Sequence, residues 1–167
     1  MPLLVDGYNL LGRLRKLEEH FEPLDAAGLC RLLSRYLAAT RGHGTICFDG
    51  TGPRDKSAFL GLGSLEVHFC GSHEEADDQI ERRIADCSAP RRLVVVSDDR
   101  RVRAAAKRRR AVSVRCDDFM AEVVERLSRR PAAREPSAKR HGVSDAETER
   151  WMEVFGFKTG TGSGGSK

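Results

Sequence analysis

Three short apolar runs in this chain each end on an acid. Pro2-Leu3-Leu4-Val5 runs into Asp6, Thr45-Ile46-Cys47-Phe48 into Asp49, and Leu93-Val94-Val95-Val96 into Ser97-Asp98-Asp99. Apolar runs of this length, bounded by Gly, Asp or Ser, predict buried strands. Leu65–Cys70 and Ala111–Cys116 bring the predicted strands to five. The last two strands are separated by a helical pattern of about ten residues, which argues for parallel strands joined by crossover helices. In such sheets ligands bind beyond the carboxyl ends of the strands, where the strand order reverses. Asp6, Asp49 and Asp99 all fall at that edge. Acids at the ends of buried strands are costly unless something compensates them, and a divalent cation is the obvious compensation.

The intervening segments read as helices. Leu10–His20 is a helix or irregular helical turn. Leu24–Thr40 carries Leu29, Leu32, Leu33, Tyr36 and Leu37 on one face, and Gly42 and Gly44 are expected to end it. Glu74 to about Asp86 is an acidic helix, Arg101–Arg110 a basic one. Asp117–Arg129 closes the domain with Phe119, Val123, Val124 and Leu127 on its apolar side. The expected organisation is a catalytic-type domain over residues 1–130, a linker over 131–142 and a C-terminal helix over 143–157. The composition of 158–167 reads as a flexible tail. Ser144-x-x-Glu147 forms a capping box for the short helix, and Trp151, Val154 and Phe155 share one of its faces.

With 167 residues, 40% hydrophobic and 32% charged, the chain suits one soluble α/β domain with a tail. No apolar run approaches the roughly 20 residues of a membrane helix. No leader-like segment opens the sequence, so a cytoplasmic location without membrane contact is the default expectation. Five cysteines without a CxxC argue against a disulfide framework or zinc knuckle and for small buried hydrophobes, three of them in predicted strands. His68 and His73 lack ligand spacing. There is no GxxxxGK[ST], no GxGxxG after the first strand and no GxSxG, which excludes the common phosphate-loop, dinucleotide and serine-hydrolase sites. The net charge is only +4, but Arg100, Arg101, Arg103, Lys107, Arg108, Arg109 and Arg110 crowd one segment directly after the acids. An acidic pocket beside basic surface suits a polyanion. Arg100, Arg101, Arg103, Arg108 and Arg109, with Arg54 and Lys56 of a glycine-rich loop, are the candidate backbone-binding residues.

Helix geometry orders the acids of the Glu75-Ala76-Asp77-Asp78 segment. Ala76, Ile80 and Ile84 make a buried stripe. Asp77 lies roughly 60° from its centre and Asp78 roughly 160° away, so Asp77 should face the sheet edge and Asp78 outward. At the end of the fourth strand, Ser97 and Asp99 share one parity and Asp98 the other. Asp99 is therefore expected in the site, Ser97 is placed to orient a neighbouring acid, and Asp98 is placed to cap the basic helix. Clustered carboxylates with hard oxygen donors select Mg²⁺ or Mn²⁺, with Asp6, Asp77 and Asp99 as the expected ligands. Such an ion activates water and stabilises a phosphate under in-line attack.

Leu4-Val5-Asp6-Gly7-Tyr8-Asn9, Phe48-Asp49-Gly50, Glu75-Ala76-Asp77-Asp78 and Val95-Val96-Ser97-Asp98-Asp99-Arg100 resemble, in this order, the YacP-like branch of the NYN domains within the PIN-like nuclease group. Lys139-Arg140-x-Gly142-x-Ser144 and Trp151-x-x-x-Phe155-Gly156 resemble that branch's tail. The resemblance implies a PIN-like three-layer α/β sandwich with strand order 3-2-1-4-5 and metal-dependent cleavage of RNA, messenger RNA foremost. It assigns catalytic acids to Asp6, Asp77, Asp78 and Asp99, a positioning role to Asn9, and a recurring acid to Asp49. The expected partners are RNA and, as a larger assembly, the ribosome, with the protein a monomer or weak homodimer. Two alternatives stand beside it: an RNA- or ribosome-binding module whose acids hold a structural ion, and a metal-dependent phosphatase. Cleavage of single-stranded RNA with Mn²⁺ separates the first; turnover of a chromogenic phosphomonoester marks the second.

Overall fold

The computed structural model describes residues 1–17, 24–72 and 75–128. The expected linker, C-terminal helix and tail lie outside the described residues. Five parallel strands, β1 (Pro2–Asp6), β2 (His43–Phe48), β3 (Leu65–Phe69), β4 (Val94–Val96) and β5 (Val112–Val114), form one sheet of order β3-β2-β1-β4-β5. Five helices flank it: α1 (Gly7–Leu17), α2 (Ala26–Thr40), α3 (Ala76–Asp86), α4 (Arg100–Arg108) and α5 (Cys116–Ser128).

Alternation along the strands sorts the side chains into two cores, which makes three layers. Leu3, Val5, Ile46, Phe48 and Val96 pack with the apolar faces of α1, α2 and α5. Leu4, Cys47 and Val95 pack with Ala76, Ile80 and Ile84 of α3 and with Val102, Ala105 and Ala106 of α4. Leu29, Leu32, Leu33, Tyr36 and Leu37 of α2 are all buried, as their spacing predicts. Tyr36 crosses to α5, its ring edge-on to Phe119 and its hydroxyl donating to Glu122 at 2.6 Å.

Several element ends differ from the local pattern. Helix α1 starts at Gly7, directly from β1 and not at Leu10, because the chain there passes against Phe48. A Cβ on Gly7 would lie 2.4 Å from Phe48 Cε1 and 2.8 Å from the Cys47 carbonyl oxygen. Strand β2 begins at His43, earlier than its apolar run, because it pairs with β1 from Pro2 onward. Helix α2 ends with Arg41 in the left-handed region at φ 52°, and the Gly42 N–H closes onto the Leu37 carbonyl at 2.8 Å. The left-handed cap thus falls to Arg41, one residue before the glycines expected there. Cys30, Cys47, Cys70, Cys87 and Cys116 are all free thiols. Only Cys47 sits within a strand; Cys70 follows β3 and Cys116 opens α5. Burial pushes the thiols of Cys30, Cys47 and Cys116 up to about 12, so they are inert hydrophobes. No helix of the described residues is long and apolar enough to cross a membrane.

Candidate active site

Strand parity puts the polar residues of the sheet edge on one face. Asp6 follows Leu4, Asp49 follows Cys47 and Ser97 follows Val95, each two residues on, and those three apolar residues all face α3 and α4. Because β1 lies between β2 and β4, Asp6 stands in the middle of the edge. Helix α3 crosses this face with Ala76, Ile80 and Ile84 buried. The result is a cavity of about 320 Å³ lined by Asp6, Tyr8, Asn9, Asp49, Glu75, Asp77 and Asp99. It is a five-carboxylate site with no cationic side chain in its wall. A larger cavity, about 630 Å³, opens at the opposite edge beside Pro2 and His43, but there only Glu66 and Asp86 are acidic, and Arg83 stands with them in the lining.

Asp6 is 5% exposed and fixed from both sides. The Asn9 N–H donates to Oδ1 at 3.1 Å and the buried Ser97 hydroxyl donates to Oδ2 at 3.0 Å. Ser97 Oγ also accepts the Asp99 N–H at 3.0 Å, which ties the two acids together. Asn9 Oδ1 accepts the Asp98 N–H at 2.9 Å and the Cys116 thiol at 3.3 Å, so this side chain pins the turn after β4 to the first turn of α1. Asp49 Oδ1 accepts the Ala76 N–H at 2.6 Å and so caps α3 from a different strand end.

One expected role passes from Asp98 to Asp99. Asp99, not Asp98, caps α4: its Oδ1 accepts the Arg101 N–H at 2.6 Å and the Val102 N–H at 3.3 Å. Asp98 turns to the other side of the sheet, where its Oδ1 accepts the Cys116 N–H at 3.3 Å and lies 3.4 Å from Arg115 Nε. The reason is backbone direction. Asp99 has extended geometry (φ −63°, ψ 133°) immediately before the first helical residue, which is the capping position itself. Asp77 lines the cavity, whereas Asp78 does not. Asp78 is ion-paired with Arg101, whose Nε also lies 2.6 Å from Glu81.

Burial first, and neighbouring acids after it, disfavour the charged forms of Asp6 and Asp77. Burial is the main reason that the Asp6 carboxyl is pushed up to about 6. Its two hydrogen bonds oppose the rise, and the charges of Asp77 and Asp49 add to it. Burial and then the charge of Asp99 raise Asp77 too, against the pull of Arg101. The donor set is carboxylate, amide and phenol oxygen with no imidazole or thiolate, the chemistry of Mg²⁺ or Mn²⁺. Among the described residues no three acid, imidazole or thiolate groups already converge on one point to hold an ion. A Mg²⁺ ion commonly uses only one or two carboxylates and keeps several waters, so the residues fit such an ion.

The basic residues are spread along α4 rather than gathered at the cavity. Arg100 and Arg101 begin the helix beside Asp99. Arg108 ends it, and Arg109 just beyond donates to the Cys87 carbonyl at 3.1 Å, at the far end of α3. A nine-residue helix spans roughly 13 Å. Arg103 is half-buried with its Nε lacking a hydrogen-bond partner, and Arg54 is exposed in the loop after β2. Lys56 holds its ammonium 5.2 Å over the Phe69 ring. Two cavity residues were not predicted from sequence, Tyr8 and Glu75. Both sit inside the motifs already singled out, next to Gly7 and Ala76. The missing signal was that α1 starts at Gly7 and α3 at Ala76, which turns both onto the cavity wall.

The fold and site together define a class: an α/β domain with an acid-lined cavity at the switch point of a parallel 3-2-1-4-5 sheet. The model of the YacP-like NYN domain matches residues 3–155, and the chain belongs to that family. Two solved structures of Rae1 (YacP) from Bacillus subtilis share the architecture. A mutant form is 25% identical with a TM-score of 0.56, over 77% of this chain and 81% of that one. A second structure is 23% identical with a TM-score of 0.62, over 77% and 76%. No curated protein matches the chain.

Proposed function

We propose that this protein is a divalent-cation-dependent endoribonuclease that hydrolyses phosphodiester bonds in RNA, messenger RNA included. Membership of a PIN-like nuclease family supports the reaction class. The carrying observation is the cavity itself: Asp6, Asp49, Glu75, Asp77 and Asp99 share one wall with no cation among them. Asp6, Asp77 and Asp99 are the residues we assign to hold Mg²⁺ or Mn²⁺, one or two of them directly and the rest through water. Bound there, the ion supplies charge for the phosphate and lowers the pKa of a water nucleophile.

The side chains do the positioning. Ser97 and Asn9 hold both oxygens of Asp6 in one orientation, so the acid at the centre of the edge needs no rearrangement to bind. The caps on α3 and α4 lock Asp49 and Asp99 to helix ends, which fixes the cavity's width. Asp78 is tied to Arg101, which joins α3 to α4 beside the cavity.

The test is cleavage of a labelled single-stranded RNA with Mg²⁺ or Mn²⁺, with and without EDTA. Cleavage is expected only with the ion, and Asp6→Asn is expected to lose at least 100-fold while staying folded. Cleavage that persists in EDTA would sink the cation-dependent reading. RNA bound but never cut would favour a binding module, and turnover of a chromogenic phosphomonoester without RNA cleavage a phosphatase.

A further inference from the structure

Tyr8 has no part in the acid chemistry, yet it stands in the same wall. It is 43% exposed, one of four large apolar residues so exposed among the described residues, and the only one of them that lines the acidic cavity. Its ring is not loose. It meets Phe48 edge-on, with centroids 5.1 Å apart and planes at 67°. Phe48 is fully buried and stacks on Phe69 at 5.4 Å and 20°, and Phe69 meets Phe59 at 5.0 Å. Tyr8 is therefore the exposed end of an aromatic series rooted in the core. It emerges from the first turn of α1, two residues after Asp6.

An aromatic ring held rigidly at the rim of a polar cavity exposes apolar surface that water does not favour, and an aromatic partner would cover it. Every nucleobase has such a face, and single strands are commonly bound by stacking bases on aromatic side chains beside the backbone contacts. In a duplex both faces of each base are already covered by its neighbours. We propose that Tyr8 is a nucleobase subsite: it stacks against an unpaired base adjoining the scissile phosphate. The inference rests on the nuclease reading for the place of the phosphate.

The probe is a 12-nucleotide single-stranded RNA carrying 2-aminopurine at successive positions, bound to Asp6→Asn protein with Mn²⁺. Quenching is expected at one position, with Tyr8→Ala in the same background losing the quench and binding roughly tenfold more weakly, the loss of one stacked base. Tyr8→Phe keeps the ring and is expected to restore both. Removing the base at the quenched position should weaken binding about tenfold to protein that retains Tyr8 and not at all to Tyr8→Ala, a non-additivity that a merely structural Tyr8 would not produce. Equal losses for Phe and Ala, or an abasic effect unchanged by Tyr8→Ala, would overturn the subsite. Cleavage by the wild-type protein is scored separately, so failure of the nuclease reading and failure of the stacking reading give different results.

Discussion

Asp6 concentrates a conflict between burial and charge in one side chain. Its folded pKa of about 6 lies above its ordinary value of 3.8. Between those two values the folded protein holds a proton that the unfolded chain has lost, so stability falls as pH rises from about 4 to 6. The loss is at most about 3 kcal/mol. Asp6→Asn keeps the shape and removes the charge: its oxygen can still accept the Asn9 N–H, and its amide can donate to Ser97. In chelator at pH 8 the variant should melt about 5 °C higher than wild type, with the gain shrinking toward pH 4. Thermal unfolding at three pH values measures it, and a lower melting point at pH 8 would contradict the desolvation argument. The same sign predicts that cation-dependent cleavage fades below about pH 6, where the Asp6 proton competes with the ion. Gly7 is the other residue with a sharp demand. Gly7→Ala should cost about 1–3 kcal/mol in denaturant unfolding, because Phe48 and the Cys47 carbonyl occupy the space of the new methyl.

Helices α3 and α4 are each capped by an acid that also lines the cavity, so element stability and site geometry are coupled. Asp99→Ser and Asp99→Ala separate the two roles. Serine still accepts from the first turn of α4, while alanine should cost about 1 kcal/mol. Both should lose cleavage if the carboxylate serves the ion. Equal stability of the two variants would mean that the cap contributes nothing. The Arg101 pairs with Asp78 and Glu81 join the same two helices, but they are half-exposed and screened by water, so Arg101→Ala should leave the melting temperature nearly unchanged.

At the scale of the molecule, the weak net charge of +4 hides a separation of sign between the cavity and α4. If α4 carries the RNA backbone, binding should weaken with salt, with a slope of about 0.7 per phosphate contact on a single strand. Arg100→Glu beside the cavity should weaken both short and long oligonucleotides. Arg108→Glu, roughly 12 Å further along the helix, should weaken only long ones. Equal effects on both lengths would place the RNA elsewhere.

The strand-and-helix alternation, the buried stripes of α2 and α3, and the gathering of Asp6, Asp49, Asp77 and Asp99 at one edge were legible in the chain itself. Each follows from a period of two or about four residues, or from an acid placed directly after a strand, and these are local properties. Contacts between residues far apart in sequence were not legible. Ser97 bonds Asp6 across 91 positions, Asn9 accepts from Asp98 across 89, and Asp49 caps a helix 27 residues away. Only the order and register of the strands bring such pairs together. The capping of α4 by Asp99 in place of Asp98, the capture of Asp78 by Arg101, and the placing of Tyr8 and Glu75 in the cavity wall were decided the same way. A side chain's period names the face it occupies, but its partner is set by which element packs on that face, and that is settled only when the whole sheet has closed.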